Sequence, residues 1–173
     1  MYFAIEILRY LLPLLFLLGV VYLMVIKFLS NEREKRSHAL KLAKNNILLP
    51  IRMQAYERII LFLERIVINH LILRINQAGM TSGQLHAELI SSIREEFNHN
   101  LSQQVYISAQ GWEFVRAARE ETIRLINTTG GTINREEPSL GLAGRLLEEA
   151  AAQENDPVAR ALDFLKAEAG QLF

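Results

Sequence analysis

Apolar residues form one long uninterrupted run near the start of the chain, between Arg9 and Lys27. Residues 10–26 read YLLPLLFLLGVVYLMVI and carry no charge. At about 1.5 Å of rise per residue, a helix of this length covers roughly 25 Å, close to the hydrocarbon thickness of a bilayer. Length and flanking charges argue against a buried core helix and against a signal peptide, because no small-residue cleavage pattern follows. The run predicts a membrane anchor within residues 1–29, marked by Tyr10, Pro13, Phe16, Tyr22 and Ile26.

Basic residues are concentrated on the C-terminal side of this run. Only Arg9 and the α-amino group precede it, with Glu6 beside them. Because Lys and Arg near a span are retained in the cytoplasm, we expect the N-terminus outside and the chain from about residue 30 inside. Anionic lipid headgroups would then attract the basic stretch. Its members are Lys27, Arg33, Lys35, Arg36, Lys41 and Lys44.

Residues 30–49 are rich in good helix formers and contain few apolar side chains, which predicts a juxtamembrane helix that acts as a stalk. We expect this helix to end at Asn45 and Asn46, before Pro50, because the residue preceding a proline is disfavoured in the α conformation.

Residues 50–127 show the helical spacing of apolar positions that is typical of a small bundle. Pro50 suits the first turn of a helix, Asn69 can cap a short second helix, and Gly79 ends it. Four charged side chains in the middle and second half of the first of these helices argue against a second membrane span: Glu57, Arg58, Glu64 and Arg65. Its apolar seam consists of Met53, Tyr56, Ile60, Leu63 and Val67, widened by Ile59, Phe62 and Ile66.

Thr81 and Gln84 have the spacing of a capping box, which predicts the start of a third helix. Its stripe recurs every four residues at Leu85, Leu89, Ile93, Phe97, Leu101 and Val105. Residues 103–108 could continue the helix or form an extended connector, and the pattern leaves both open. Ser108 predicts the next helix start, with a buried face at Trp112, Val115, Ala118, Thr122 and Ile126.

Residues 128–138 have the composition of a linker, and residues 139–173 predict two short amphipathic helices. Asp156 and Pro157 supply a cap and a proline at the first helical position. Either the tail packs on the bundle or it detaches at Gly130 and Gly131 to dock on a partner. In both cases we expect it to bury Leu140, Leu146, Leu147, Leu162 and Leu165, with Phe164 and Phe173 as further candidates; Ala143 and Ala150 share a face with Leu140 and Leu147. Because no strand-period alternation occurs, the predicted fold class is all-α.

Composition narrows the classes of partner. The 173 residues carry a formal net charge of zero and no cysteine, which excludes disulfides and argues against nucleic acid as a partner. Charge is uneven, however, with six basic and two acidic residues in 27–45 and three basic and eight acidic in 136–173. The two stretches could attract each other or could simply be solvated surfaces of opposite sign.

Glu96 and His99 form a Glu-x-x-His, the spacing that aims two ligands at the metal site of a di-iron bundle. Glu57 and Glu64 could add carboxylates, but no second copy of the motif exists. No phosphate-binding loop, nucleophile elbow or zinc-protease motif is present either. We therefore expect no cofactor and no small-molecule substrate, with a carboxylate–histidine metal protein as the alternative.

An unusually polar patch lies next to the apolar stripe of the third helix. It consists of Glu95, His99, Asn100, Gln103, Gln104 and Tyr106. These side chains could recognise a partner, or they could bond to the backbone where the helix breaks.

The stretches IRMQAYERIILFLERI, SSIREEFNHNLSQQVYIS and ETIRLIN, together with Trp112, resemble an uncharacterised family of small bacterial single-span membrane proteins. The resemblance covers residues 1–128, leaves the tail unmatched, and implies a helical domain at the cytoplasmic face of a bacterial inner membrane. It implies no reaction or ligand. An anchor, amphipathic helices and no catalytic motif together predict a non-enzymatic scaffold or adaptor that binds a protein partner or a second copy.

Overall fold

The structure is a computed structural model that describes the backbone from Tyr2 to Leu172 and the side chains of residues 16–28, 30, 32 and 47–172. Within this described part the regular structure is helical and contains no sheet, which confirms the all-α fold class. The chain divides into two compact units, Met1–Leu48 and Leu49–Phe173. The helices are α1 (Tyr2–Ile66), α2 (Ile68–Ile75), α3 (Ser82–Asn100), a 3₁₀ helix (Leu101–Val105), α4 (Ala109–Gly130), α5 (Ser139–Ala151) and α6 (Pro157–Gly170).

In the first unit, the predicted anchor is only partly described. Phe16, Tyr22 and Ile26 lie on α1 with exposed side chains, as do all residues from 16 to 28. No helix among the described residues is both long and apolar enough to cross a membrane. The remaining marker positions and most of the basic stretch lie outside the described side chains: Tyr10, Pro13, Arg33, Lys35, Arg36, Lys41 and Lys44.

The predicted helix end before Pro50 is wrong, because α1 continues through this proline to Ile66. A proline inside a helix removes one backbone hydrogen bond. Pro50 is exposed, so water can solvate the carbonyl that loses its amide partner.

The second unit begins with the apolar seam of α1, where Tyr56, Leu63, Ile59, Phe62 and Ile66 are fully buried. The other predicted seam positions, Met53, Ile60 and Val67, are half-buried.

The predicted cap at Asn69 is wrong, because the break falls at Val67, whose ψ of 127° is extended. Asn69 lies inside α2. The ring nitrogen Nδ1 of His70 lies 2.8 Å from the Glu64 carbonyl oxygen. The imidazole thus donates a hydrogen bond to a carbonyl at the end of α1. Gly79 lies in the following turn with a φ of +86°, a conformation that favours glycine.

The capping box of α3 is confirmed. The Gln84 amide donates to Thr81 Oγ1 at 3.2 Å, and the Thr81 amide donates to Gln84 Oε1 at 3.0 Å. The predicted stripe is buried from Leu85 to Phe97, but it is wrong beyond that point: Leu101 is 42% and Val105 77% exposed. The chain tightens into the 3₁₀ helix after Asn100, and the narrower turn rotates these two side chains away from the core.

Ser108 caps α4 as predicted, since its hydroxyl accepts from the Gly111 amide at 2.9 Å. The five predicted face positions of α4 are all buried, namely Trp112, Val115, Ala118, Thr122 and Ile126. The helix extends to Gly130 and so shortens the predicted linker. A Cβ on Gly130 would lie 2.5 Å from His86 Cδ2, so a larger residue here would require the His86 side chain to shift.

The tail belongs to the core of the second unit. Asp156 caps α6 as predicted, accepting from the Val158 amide at 2.8 Å. The core contains the tail residues Leu142, Ala143, Leu146, Val158, Ala161, Leu162, Leu165 and Ala169. The predicted face of α5 is wrong at Leu140, which is 74% exposed, and at Leu147, which is 37% exposed.

Backbone carbonyls of the linker bind the start of α3 in an arrangement that we call the linker clamp. The amides of Ser82 and Gly83 donate to the carbonyls of Glu137 and Arg135, at 2.8 and 2.9 Å. The Ser82 hydroxyl donates to the Pro138 carbonyl at 3.1 Å. The first amides of a helix have no partner within it, and here the linker supplies one. The two-glycine hinge that sequence suggested is thus followed by a segment bonded to the bundle.

Ser139 extends this attachment from the other end of the linker. Its amide donates to the Met80 carbonyl at 3.0 Å, and its hydroxyl donates to Asn76 Oδ1 at 2.7 Å. The side chain of Ser139 is buried. The tail is therefore joined to the bundle by hydrogen bonds as well as by apolar packing.

Candidate functional site

The predicted polar patch does not form one surface. Glu95 is exposed and accepts a hydrogen bond from Ser91 Oγ at 2.9 Å, within its own helix. Asn100 donates from Nδ2 to the Glu96 carbonyl at 2.8 Å. His99 is also exposed.

The remaining members lie on and just after the 3₁₀ helix. Gln103 donates to Ser102 Oγ at 3.2 Å, and the Tyr106 carbonyl accepts from Arg52 Nε at 3.4 Å. Gln104 and Glu95 line two different clefts. The structure thus separates Gln104 from Glu95 and bonds Asn100 to the backbone.

The cleft beside Gln104 has a volume of about 510 Å³ and lies between the end of α3, the 3₁₀ helix and α4. We call it the aromatic groove. Phe97 and Trp112 contribute to its lining, with ring centroids 5.5 Å apart. Leu101 lines the same groove and is partly exposed. Both rings are buried, with 6% and 9% of their surface exposed, so they form a rigid floor and present little surface of their own.

Charged side chains of α4 line the rest of the groove. The Arg119 guanidinium lies over the Phe97 ring, 4.2 Å from its centroid, and forms an ion pair with Glu120. Arg119 Nε is buried and has no hydrogen-bond partner among the described residues. The Glu113 carboxylate lies 2.6 Å from Arg116 and raises the pKa of that guanidinium.

The two candidate metal ligands do not form a metal site. Glu96 Oε1 lies 2.8 Å from Arg65 Nη2 and 3.2 Å from Arg74 Nη1, and so accepts from two cations. Arg74 also donates to Ser92 Oγ at 3.1 Å. No group of three or more metal-ligating side chains occurs among the described residues. Glu96 acts here as a link between α3, α1 and α2.

A second polar group lies inside the core. The hydroxyl of Tyr56 and Glu168 Oε2 are buried without a hydrogen-bond partner among the described residues. Burial raises the pKa of the Tyr56 phenol, the nearby Glu168 carboxylate raises it further, and Arg52 opposes the shift.

The exposed part of the aromatic groove therefore consists mainly of Leu101 and the charged side chains of α4. The Phe97 and Trp112 rings are only 6% and 9% exposed, and the Arg119 Nε without a partner among the described residues is buried. Sequence reasoning placed Phe97 and Trp112 in the core and missed the roles of Arg116, Arg119 and Glu120. In the sequence these three residues appear as charges spaced along the polar face of α4. That spacing does not show which residues of another helix their side chains contact.

No curated protein and no solved structure matches this chain significantly. The predicted resemblance is wrong in its extent, because a family model also matches the tail, which shares a core with the bundle. The family's description mentions neither a membrane nor bacteria, so both stay predictions. Residues 2–172 match the model of DUF7935, described as a family of unknown function, and the chain belongs to that family.

Proposed function

We propose that this protein is a membrane-anchored, non-enzymatic scaffold or adaptor that presents a helical protein-binding surface at the cytoplasmic face. The observation that carries the proposal is the exposure of apolar side chains on α1. Every side chain from residue 16 to residue 28 is exposed, including Phe16, Leu17, Leu23 and Met24. Lys27 is the one charged residue among them.

A helix that is apolar on all faces needs an apolar environment on all faces. Burying one such side chain is worth about 1.5–3 kcal/mol, so a solvated helix with this composition would be strongly unfavourable. Bilayer hydrocarbon supplies the missing contact without a protein partner. Residues 10–26 carry no charge, so the same need for an apolar environment applies to the whole of this run.

The orientation and the compartment belong to the same proposal. Basic residues after residue 26 favour a cytoplasmic location for the second unit. The anionic headgroups of a bacterial inner membrane would attract that stretch.

The aromatic groove supports the adaptor part of the proposal. Leu101 and Val105 are exposed beside it, on a 3₁₀ helix that contributes no buried residue. A 3₁₀ helix with outward apolar side chains does little for the core, whereas it would add contact area to a partner. The buried rings of Phe97 and Trp112 support this surface from the core side, and a partner would contact Leu101 and the charged side chains of α4.

Membrane extraction tests the anchor. We expect the full chain to remain with membranes through an alkaline wash and to dissolve in detergent. The variant Val20→Arg/Leu23→Arg should shift to the soluble fraction, because arginine in a bilayer centre costs about 2.5–3.5 kcal/mol per residue. The matched control Leu61→Arg/Leu73→Arg changes two exposed leucines outside the run and should stay with membranes. Wild-type protein that washes off would overturn the anchor.

Affinity capture from detergent-solubilised membranes tests the binding surface. Leu101→Glu/Arg116→Glu changes two exposed side chains of the aromatic groove and should lose the proteins that co-purify with the wild type. Arg94→Glu, an exposed change on α3 outside the groove, should retain them. Two outcomes would contradict an adaptor that uses this groove. Either the wild type and both variants capture the same proteins, or the wild type captures no protein.

A further inference from the structure

A second cleft, of about 390 Å³, lies where α1 gives way to α2, against α4 and the ends of α5 and α6. We call it the junction cleft. Its walls are mainly apolar, with Val67 and Ile68 at the helix break, Leu125 on α4, Leu147 on α5 and Val158 on α6. Leu147 is partly exposed, although leucine favours burial. The cleft can therefore accept an apolar side chain.

Both charged side chains that line the junction cleft are acidic. Glu121 and Asp156 line it, and no basic residue does so among the described side chains. Glu121 lies 2.8 Å from Arg124, whereas Asp156 uses Oδ1 to accept from the Val158 amide. Asp156 therefore keeps a negative charge at the cleft that no ion pair among the described residues neutralises.

The last turn of α5 adds to this negative charge. It contains Glu148 and Glu149 and no basic residue, and both glutamates are exposed. Neither makes an ion pair with any described residue, and the same holds for Glu154 in the loop that follows. Carboxylates at the C-terminal end of a helix are also disfavoured by the helix dipole. The carboxylates without an ion pair therefore lie at the end of α5 where the helix dipole already makes the electrostatic potential negative.

We propose that the junction cleft binds a basic amphipathic segment of a partner protein. An apolar side chain of that segment enters the cleft, and flanking Lys or Arg residues pair with the carboxylates of α5 and Asp156. Apolar burial supplies the contact, and the acidic rim selects a cationic partner over a neutral one. This inference goes beyond the proposed function, because it depends neither on the membrane anchor nor on the aromatic groove.

A peptide of the required chemistry can be taken from the chain's own sequence. Residues 33–46, REKRSHALKLAKNN, carry five basic residues, one acidic residue and two leucines. The labelled peptide is titrated into the full chain in a neutral detergent, and binding is followed by fluorescence anisotropy. We expect saturable binding that weakens as salt is added. A peptide with Lys41→Gln and Lys44→Gln, or with Leu40→Ser and Leu42→Ser, should bind more weakly.

Charge reversal beside the cleft, on the turn of α5 that supplies Leu147 and Ala150 to its lining, provides the critical comparison. Glu148→Lys/Glu149→Lys should weaken peptide binding by about tenfold, since each exposed ion pair contributes modestly. The same variant should not melt at a lower temperature, because lysine near a helix C-terminus favours the helix dipole. The matched control Glu88→Lys/Glu95→Lys makes the same change in net charge on α3 and should leave the affinity within about threefold.

A third variant tests the cleft itself. Ala151 lines the cleft and is exposed, so Ala151→Trp should fill the space without disturbing the core and should abolish binding. The proposal is overturned by the absence of saturable binding, by equal weakening in both charge-reversal variants, or by unchanged affinity in Ala151→Trp.

Discussion

Two leucines of α5 allow a sharp test of whether the tail is part of the folded core. Leu146 is fully buried, whereas Leu140, on the same helix, is 74% exposed. Alanine is a good helix former at both positions, so Leu146→Ala and Leu140→Ala differ mainly in the burial that they remove. If α5 is permanently packed, the two substitutions should have very different effects on stability.

The expected magnitude follows from burial and cavity formation. Leu146→Ala removes a fully buried side chain from a core shared by α3, α4 and α5, and should lower the free energy of unfolding by about 2–5 kcal/mol. For a unit of this size, each kcal/mol shifts the melting temperature by about 3–5 °C, so the midpoint should fall by roughly 6–25 °C. Leu140→Ala should change the free energy by at most about 0.5 kcal/mol.

Thermal and chemical denaturation of the full chain in detergent, followed by circular dichroism, measures both effects. Equal and small effects of the two substitutions would refute the packed tail, because a detachable α5 loses nothing when its inner face is truncated. A large effect of Leu140→Ala would instead refute the orientation of α5 described above.

Two further substitutions test local contacts. Thr81→Ala removes the hydroxyl that accepts from the Gln84 amide and should cost about 0.5–2 kcal/mol in urea denaturation, whereas Thr128→Ala, on the exposed face of α4, should cost nothing measurable. Tyr56→Phe removes a buried hydroxyl without a partner and should leave stability at pH 7 unchanged or higher. Since the pKa of Tyr56 is raised in the folded state, its contribution is fully present below the unfolded pKa of about 10 and is lost above it. The wild type should therefore lose stability relative to Tyr56→Phe as the pH rises beyond 10, and identical pH profiles would contradict the raised pKa.

Features set by neighbouring residues could be predicted from the sequence, as the capping box of α3 shows. Thr81 and Gln84 need only each other and the backbone between them. Ser108 and Asp156 work in the same way, as acceptors for amides two or three residues ahead. Such contacts do not depend on how the helices pack.

The face of α5 could not be predicted, because leucines occur at four of its positions and satisfy more than one helical stripe. Leu140 and Leu147 define one stripe, Leu142 and Leu146 another. Packing against α3 decides between them, and buries the second. The same limit applies to the aromatic groove, where Arg119 reaches Phe97 only because α3 and α4 lie side by side.

The linker clamp has a consequence for the rate at which amide protons exchange with water. The first amides of most helices exchange quickly, since they lack a partner within the helix. At Ser82 and Gly83, the carbonyls of Glu137 and Arg135 cover these protons, although they lie more than fifty residues along the chain. Exchange at these two amides is then controlled by detachment of the linker and not by fraying of α3. The start of one helix thus reports how often a distant part of the chain lifts away.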